Sequence, residues 1–263
     1  MTFSIVAKAD DQWGVAVASK FLAVGAAVPA AQYGVGAVAT QAFANLAYRP
    51  EGLRLMAHGK TAQAALDELV AGDEGRLQRQ AGLVDATGGA ATFTGADCNA
   101  WAGGRTGDGW AAQGNILTGP EVVDAVAEAF EGSTGPLANR LATALLAGDR
   151  AGGDRRGRQS AVLYVVSEGG GYGGGSDVLV DLRVDDHADP VLELQRLLEL
   201  HHLYFGKPEE TLPLEGDLLL EVTGKLAALG YEDLEGWAGV ENYEERMVPG
   251  AIDVLVLQKL REA

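Results

Sequence analysis

The chain has 263 residues, room for one large domain and a small one. Hydrophobic residues make up 47% of it, which supports a packed core and excludes disorder over most of the length. Against 20 Lys and Arg stand 37 Asp and Glu, a formal net charge of −17. Such a surface repels nucleic acid and anionic membranes, so neither is an expected partner and a small-molecule substrate is. The single cysteine, Cys98, excludes an internal disulfide. The opening MTFSIVAKADD has no basic segment followed by an apolar run of signal length, and no apolar run reaches the ~18 residues of a membrane span. A cytoplasmic protein is expected.

Residues 3–7 and 13–19 are short apolar runs on either side of Asp10-Asp11, which predicts a hairpin beginning almost at the first residue. The stretch 21–47 is rich in Ala, Gly and Val. Within it, 34–41 predicts a buried strand ending on the polar pair Thr40-Gln41, with Asn45 just beyond. Pro50 then opens a helix and Thr61 caps a second, whose stripe includes Ala65, Leu66 and Leu69. Runs 80–84 and 90–94 flank a turn at 85–89, and 107–117 predicts one further strand. Helices over 120–130 and 136–146 carry apolar stripes at helical spacing. A basic, Gly-rich loop over 148–157 leads to strands at 160–166 and 178–184, joined by a glycine-laden turn.

Asp189-Pro190 opens a helix that reaches Gly206. Residues 207–214 read as a linker, followed by a helix ended by Gly230 and a final helix over 249–261. Strands, paired helices, strands and paired helices in that order fit two sheets between helix layers. The expected division is 1–206 for this domain and 207–263 for a small helical module.

Thr2 is the first candidate for chemistry. If Met1 is removed, the Thr2 hydroxyl lies beside its own α-amino group, whose ordinary pKa of about 7.7–8.0 suits a general base near neutral pH. Threonine activated by its own N-terminus is an established nucleophile. Ser19, at the end of the second strand, is placed to donate a hydrogen bond to a bound carboxylate, with Lys20 beside it. In the 181–187 segment, alternation puts Asp181, Arg183 and Asp185 on one strand face. A buried salt-bridge network is the simplest reading there. A metal site from Asp185, Asp186 and His187 is the alternative, although the spacing defines no ligand set. The glycine run 169–175 lacks the Lys-Ser/Thr of a phosphate loop, and no cofactor is expected.

Four blocks carry a resemblance to a known family: MTFSIVAKADDQWGVAVASKFLAVG at 1–25, GVGAVATQAFAN at 34–45, AAQGNILTG at 111–119, and a long block over 158–206. They resemble the domain of unknown function 1028, a family placed among the N-terminal-nucleophile hydrolases. The resemblance implies an αββα sandwich and supplies no substrate. It also implies an oxyanion-binding role for Asn115 at a strand end, and a homo-oligomer, since related folds form rings. Gln41 falls where the proteasome group carries a catalytic lysine. A neutral carboxamide cannot depress a neighbouring pKa as a cation does, which argues against proteasome-like peptidase chemistry. The segment with Tyr231, Trp237 and Tyr243 is similar to helical segments described as peptidoglycan-binding, and is expected to serve docking or assembly. Two functional readings follow: hydrolysis of an amide or related carbon–nitrogen bond by Thr2, helped by Asn115, Gln41 and Ser19, or a non-catalytic binding or assembly protein on the same fold.

Overall fold

A computed structural model describes residues 2–263, so the expectation about Met1 lies outside the described residues. The chain divides into two compact units, Met1–Arg196 and Leu197–Ala263. The architecture is mixed α and β, with eight α-helices and three sheets among the described residues.

In the first unit the N-terminal hairpin is β1 (Thr2–Ala9) and β2 (Gln12–Ser19). Then follow β3 (Pro29–Gln32), β4 (Gly36–Ala42), α1 (Tyr48–Ala57), α2 (Ala62–Ala71), β5 (Arg79–Asp85) and β6 (Ala90–Thr94). The unit continues with β7 (Gly103–Gly107), β8 (Trp110–Asn115), α3 (Glu121–Gly132), α4 (Leu137–Arg150), β9 (Ser160–Ser167) and β10 (Val178–Val184). The division between units falls within α5 (Pro190–Phe205).

Six strands pair in the order β10-β9-β2-β1-β8-β7 and four in the order β3-β4-β5-β6, all antiparallel. The two sheets face each other. Helices α3 and α4 cover the outer face of the larger sheet, and α1 and α2 that of the smaller. Small residues permit this closeness: a Cβ at Gly14 would lie 2.8 Å from Leu141 Cδ1 of α4. One core fills the space between the sheets, with Val6, Val15, Val17, Val84 and Val166. A second lies under α1 and α2, with Leu55, Leu66 and Leu83.

The second unit holds β11 (Thr211–Pro213), α6 (Gly216–Leu229), α7 (Leu234–Glu241), β12 (Ala251–Asp253) and α8 (Val254–Glu262). Its core gathers Val222, Leu226, Trp237, Ile252 and Leu260. Gly230, at φ 85°, ends α6, and the Asp233 and Asp253 side chains cap α7 and α8. Asp253 also takes a buried 2.7 Å ion pair from Arg246.

Several boundaries differ from the sequence reading. The 107–117 run holds one strand, β8, and a further strand, β7, precedes it; the glycine-rich Gly103–Gly107 segment pairs through its backbone with little side-chain pattern to announce it. Helix α1 starts two residues before Pro50, which occupies its first turn and so needs no amide hydrogen bond. Helix α4 runs into the expected loop as far as Arg150. The expected linker contains β11, whose partner β12 lies some forty residues away. Among the described residues no helix is long and apolar enough to cross a membrane.

Candidate functional site

At one end of the space between the sheets, five strands bring polar side chains together. Thr2 and Ser4 come from β1, Ser19 from β2, Gln41 from β4, Gln80 from β5, and Gln113 and Asn115 from β8. All seven are buried, Thr2 being the most accessible at 5%. Register explains the meeting. Thr2 stands opposite Asn115 across the β1–β8 ladder, and Phe3 opposite Ala18 places Thr2 level with Ser19. Alternation then aims Thr2, Ser19 and Asn115 at the facing sheet, where Gln41 and Gln80 are paired neighbours.

The hydroxyls of Thr2 and Ser19 lie 3.0 Å apart. Beneath them runs a network of carboxamides. Gln80 Oε1 accepts from Gln41 Nε2 at 2.8 Å and from Asn115 Nδ2 at 2.9 Å, while Gln80 Nε2 donates to the Gly114 carbonyl at 2.7 Å. Gln41 Nε2 also reaches the Thr2 carbonyl at 3.3 Å. Ser4 Oγ donates to Gln41 Oε1 at 2.6 Å and accepts from Gln113 Nε2 at 2.7 Å. Gly82 makes room for this last group: a Cβ there would collide with the Gln113 carboxamide. Burying so many amides is tolerable because they satisfy one another.

All four residues singled out in the sequence, Thr2, Ser19, Gln41 and Asn115, therefore sit in one cluster. Ser4, Gln80 and Gln113 were missed. Their signal was available: each is a polar residue at an inward position of a strand, two or four residues from an apolar one on the same face. The Asn115 amide is committed in part to Gln80, so Asn115 supports the network as well as facing Thr2.

Backbone strain marks the same place. Ala42, after Gln41, has φ 67°, and Ile116, after Asn115, has φ 50°. A left-handed β-branched residue is unusual, and such strain gathers where surrounding structure enforces a required geometry. Ile116 is held by its N–H to the Asn99 carbonyl at 2.8 Å and by the Arg155 N–H at 3.3 Å.

Behind Gln41, Asp73 ties down the following loop. It accepts from Arg79 Nε and Asn45 Nδ2, each at 2.9 Å, and from the Gly75 N–H at 2.8 Å. The Arg79 hydrogen bond holds the Asp73 carboxyl well below the usual range, with Asn45 and Gly75 adding to it against the cost of burial. Arg79 Nη1 in turn donates to the Phe43 carbonyl at 2.6 Å. The buried Tyr48 hydroxyl lies towards Asp73, and burial, then the Asp73 charge, pushes its ionisation up. The loops leaving β2 and β4 carry exposed apolar side chains, Phe21, Leu22, Phe43 and Leu46.

The 181–187 segment does not form a buried network. Arg183 pairs with Asp181 at 2.7 Å on the surface, because β10 is an edge strand and this face is open to water. Asp186 accepts from Gln159 and His187 from the Asp189 N–H, each at 3.0 Å. Among the described residues no three His, Cys, Asp or Glu side chains converge as a metal site would require.

A family model described as "Family of unknown function (DUF1028)" matches residues 2–194, and one described as "Putative peptidoglycan binding domain" matches residues 204–260. Among solved structures, the chain is similar to a Silicibacter pomeroyi protein carrying the same DUF1028 model. The identity is 29% and the TM-score 0.70, over 83% of this chain and 88% of that one. A fainter likeness is to Anbu, an ancestral beta-subunit, from Yersinia bercovieri: 12% identity and a TM-score of 0.33, over 75% of this chain and 93% of that one, too distant to bear on function. No curated protein matches the chain.

Proposed function

Because the chain belongs to the DUF1028 family, whose description assigns no reaction, we propose from the Thr2 cluster that it is an N-terminal-nucleophile hydrolase cleaving an amide or related carbon–nitrogen bond. The observation that carries this reading is the buried Thr2 hydroxyl at the head of β1, 3.0 Å from Ser19 Oγ and opposite Asn115. Two facing sheets backed by helix pairs are the layering an αββα N-terminal-nucleophile fold requires.

In this mechanism loss of Met1 frees the Thr2 amine. The amine takes the hydroxyl proton as Oγ1 attacks the substrate carbonyl carbon, and the carbonyl electrons move onto oxygen. Asn115, with an N–H beyond the one given to Gln80, stabilises that oxyanion. The protonated amine passes its proton to the departing nitrogen, leaving an ester on Thr2. Water, deprotonated by the same amine, hydrolyses the ester and restores the threonine. Ser19 orients the Thr2 hydroxyl, and Gln41 fixes the Thr2 carbonyl and thereby the amine. The exposed Phe21, Leu22, Phe43 and Leu46 favour a substrate with an apolar substituent.

Intact-mass analysis tests the premise, with loss of Met1 expected. A β-lactone probe tests the nucleophile: ring opening by Thr2 adds the whole lactone as an ester, and Thr2→Ala abolishes that adduct. A retained Met1, or labelling that survives Thr2→Ala, would leave the second reading, a binding or assembly protein. The mutually satisfied amide network is what favours that alternative.

A further inference from the structure

A second feature of the first unit shares no residue with the Thr2 cluster. A cavity of about 300 Å³ opens beside β3, β9 and β10, lined by Arg49, Arg183, Asp181 and Tyr164 with apolar walls including Pro29 and Val178. Its size lies at the lower end of small-molecule sites.

The charges in this cavity are unbalanced. Arg183 is answered by Asp181, whose two oxygens accept from it at 2.7 and 3.0 Å, and, from outside the lining, by the weaker pull of Asp185. Arg49, in the first turn of α1, donates Nη1 to the Ala26 carbonyl at 2.8 Å. Among the described residues no carboxylate forms an ion pair with Arg49. Two guanidiniums and one carboxylate leave the lining with a net charge of +1, in a chain whose total is −17. Burial, then the neighbouring Arg183, pulls the Arg49 ionisation down, the direction expected of a cation that lacks a counter-charge. Burial and Asp181 push the Tyr164 phenol up, so it stays a protonated donor.

We propose that this cavity binds a small organic monocarboxylate, its carboxylate on Arg49 and its apolar body against Pro29 and Val178. One negative charge balances the lining. A phosphate dianion exceeds it and meets repulsion from Asp181, and an uncharged ligand leaves the two guanidiniums facing each other unrelieved.

Calorimetry and saturation-transfer NMR on the full chain at low salt, with isovalerate, isovaleramide and inorganic phosphate as probes, test the assignment. Isovalerate should bind and its isosteric amide should not, up to about 10 mM. Arg49→Met, which keeps most of the apolar stem, should weaken isovalerate about tenfold or more. Asp181→Asn, on the surface and benign to folding, should tighten isovalerate several-fold by removing the one negative charge. Thr2→Ala should bind isovalerate as the parent does, so failure of the hydrolase reading leaves this one standing. Equal binding of acid and amide, tighter binding of phosphate than of isovalerate, binding of no probe, or indifference to both Arg49→Met and Asp181→Asn would overturn it.

Discussion

The two ends of the space between the sheets are built on the same five strands and could hardly differ more. On inward positions β1 reads Thr2, Ser4, Val6; β2 reads Ser19, Val17, Val15; β4 reads Gln41, Ala39, Ala37; β5 reads Gln80, Gly82, Val84; β8 reads Asn115, Gln113, Ala111. Within four residues every strand passes from hydroxyls and carboxamides to Val or Ala, with only Gly82 between. Both ends are buried to a few per cent or less. The apolar end shows that this architecture fills its interior readily with small aliphatic side chains. Nothing about stacking two sheets demands amides at the other end, where each must be desolvated and then satisfied to avoid a cost of about 1–3 kcal/mol per group. A fold that keeps a satisfied neutral network under Thr2 holds Thr2 rigidly.

The contrast can be broken by single substitutions. The largest effect is expected from Gln80→Leu, which removes the acceptor of Gln41 and Asn115 and the donor to Gly114. A stranded Asn115 donor, a Gln41 donor left with only its long bonds to the Thr2 and Gln113 carbonyls, and a Gly114 carbonyl without its Gln80 donor should together cost about 4 kcal/mol in urea unfolding. A neutral or stabilising result would mean that the polar end is merely tolerated. Asp73→Asn should cost about 3 kcal/mol by stranding the Arg79 guanidinium. Because the folded Asp73 pKa is depressed, its stabilisation is complete above the unfolded value of about 3.9 and is lost as pH falls below that towards the folded value. The variant should therefore lose less stability than the parent between about pH 4 and pH 2 in denaturant titrations. At the apolar end of β5, Val84→Ala should cost about 2 kcal/mol, the transfer of two methyl groups plus a small void. It should leave β-lactone labelling of Thr2 unchanged, whereas Gln80→Leu should slow it.

What the sequence disclosed follows the same division. Apolar alternation and capping made the hairpin, Thr61 and the helix stripes visible, since these signals are local. Thr2 stood out as the small residue behind Met1, Ser19 and Gln41 because they sit at strand ends, where polarity breaks a pattern, and Asn115 through the family resemblance. Ser4, Gln80 and Gln113 escaped notice because a lone polar residue inside a strand looks like a solvent-facing position until the opposing sheet is in place. Strands β7 and β11 were hidden for a related reason: their pairing is through backbone to partners chosen by tertiary structure, and Gly-Gly-Arg-Thr-Gly carries no apolar alternation. The pairing of Arg183 with Asp181 was legible from spacing, but its exposure depended on β10 being an edge.

The smallest expected effect sharpens the comparison furthest. All seven side chains of the cluster, Thr2 included, are neutral, so in the proposed mechanism no member of the cluster lowers the pKa of the Thr2 amine as a lysine at position 41 would. What remains is desolvation at a buried strand head, which disfavours the ammonium, set against the field of a chain carrying −17, to which the buried Asp154, holding the Lys20 N–H at 2.8 Å one residue beyond Ser19, contributes. The amine acts as a base only when unprotonated, so the rate of Thr2 acylation should rise with pH through the amine pKa. A diffuse field is screened by salt, whereas a fixed neighbouring charge a few ångströms away is screened far less. Raising ionic strength from about 0.01 to 0.5 M should therefore move the rising limb to lower pH by about half a unit. Gln41→Lys should lower the same limb and make its position nearly indifferent to salt, because a local cation then dominates the field. A parent profile that does not move with salt would place a fixed charge beside the amine and remove the neutral network as its setting.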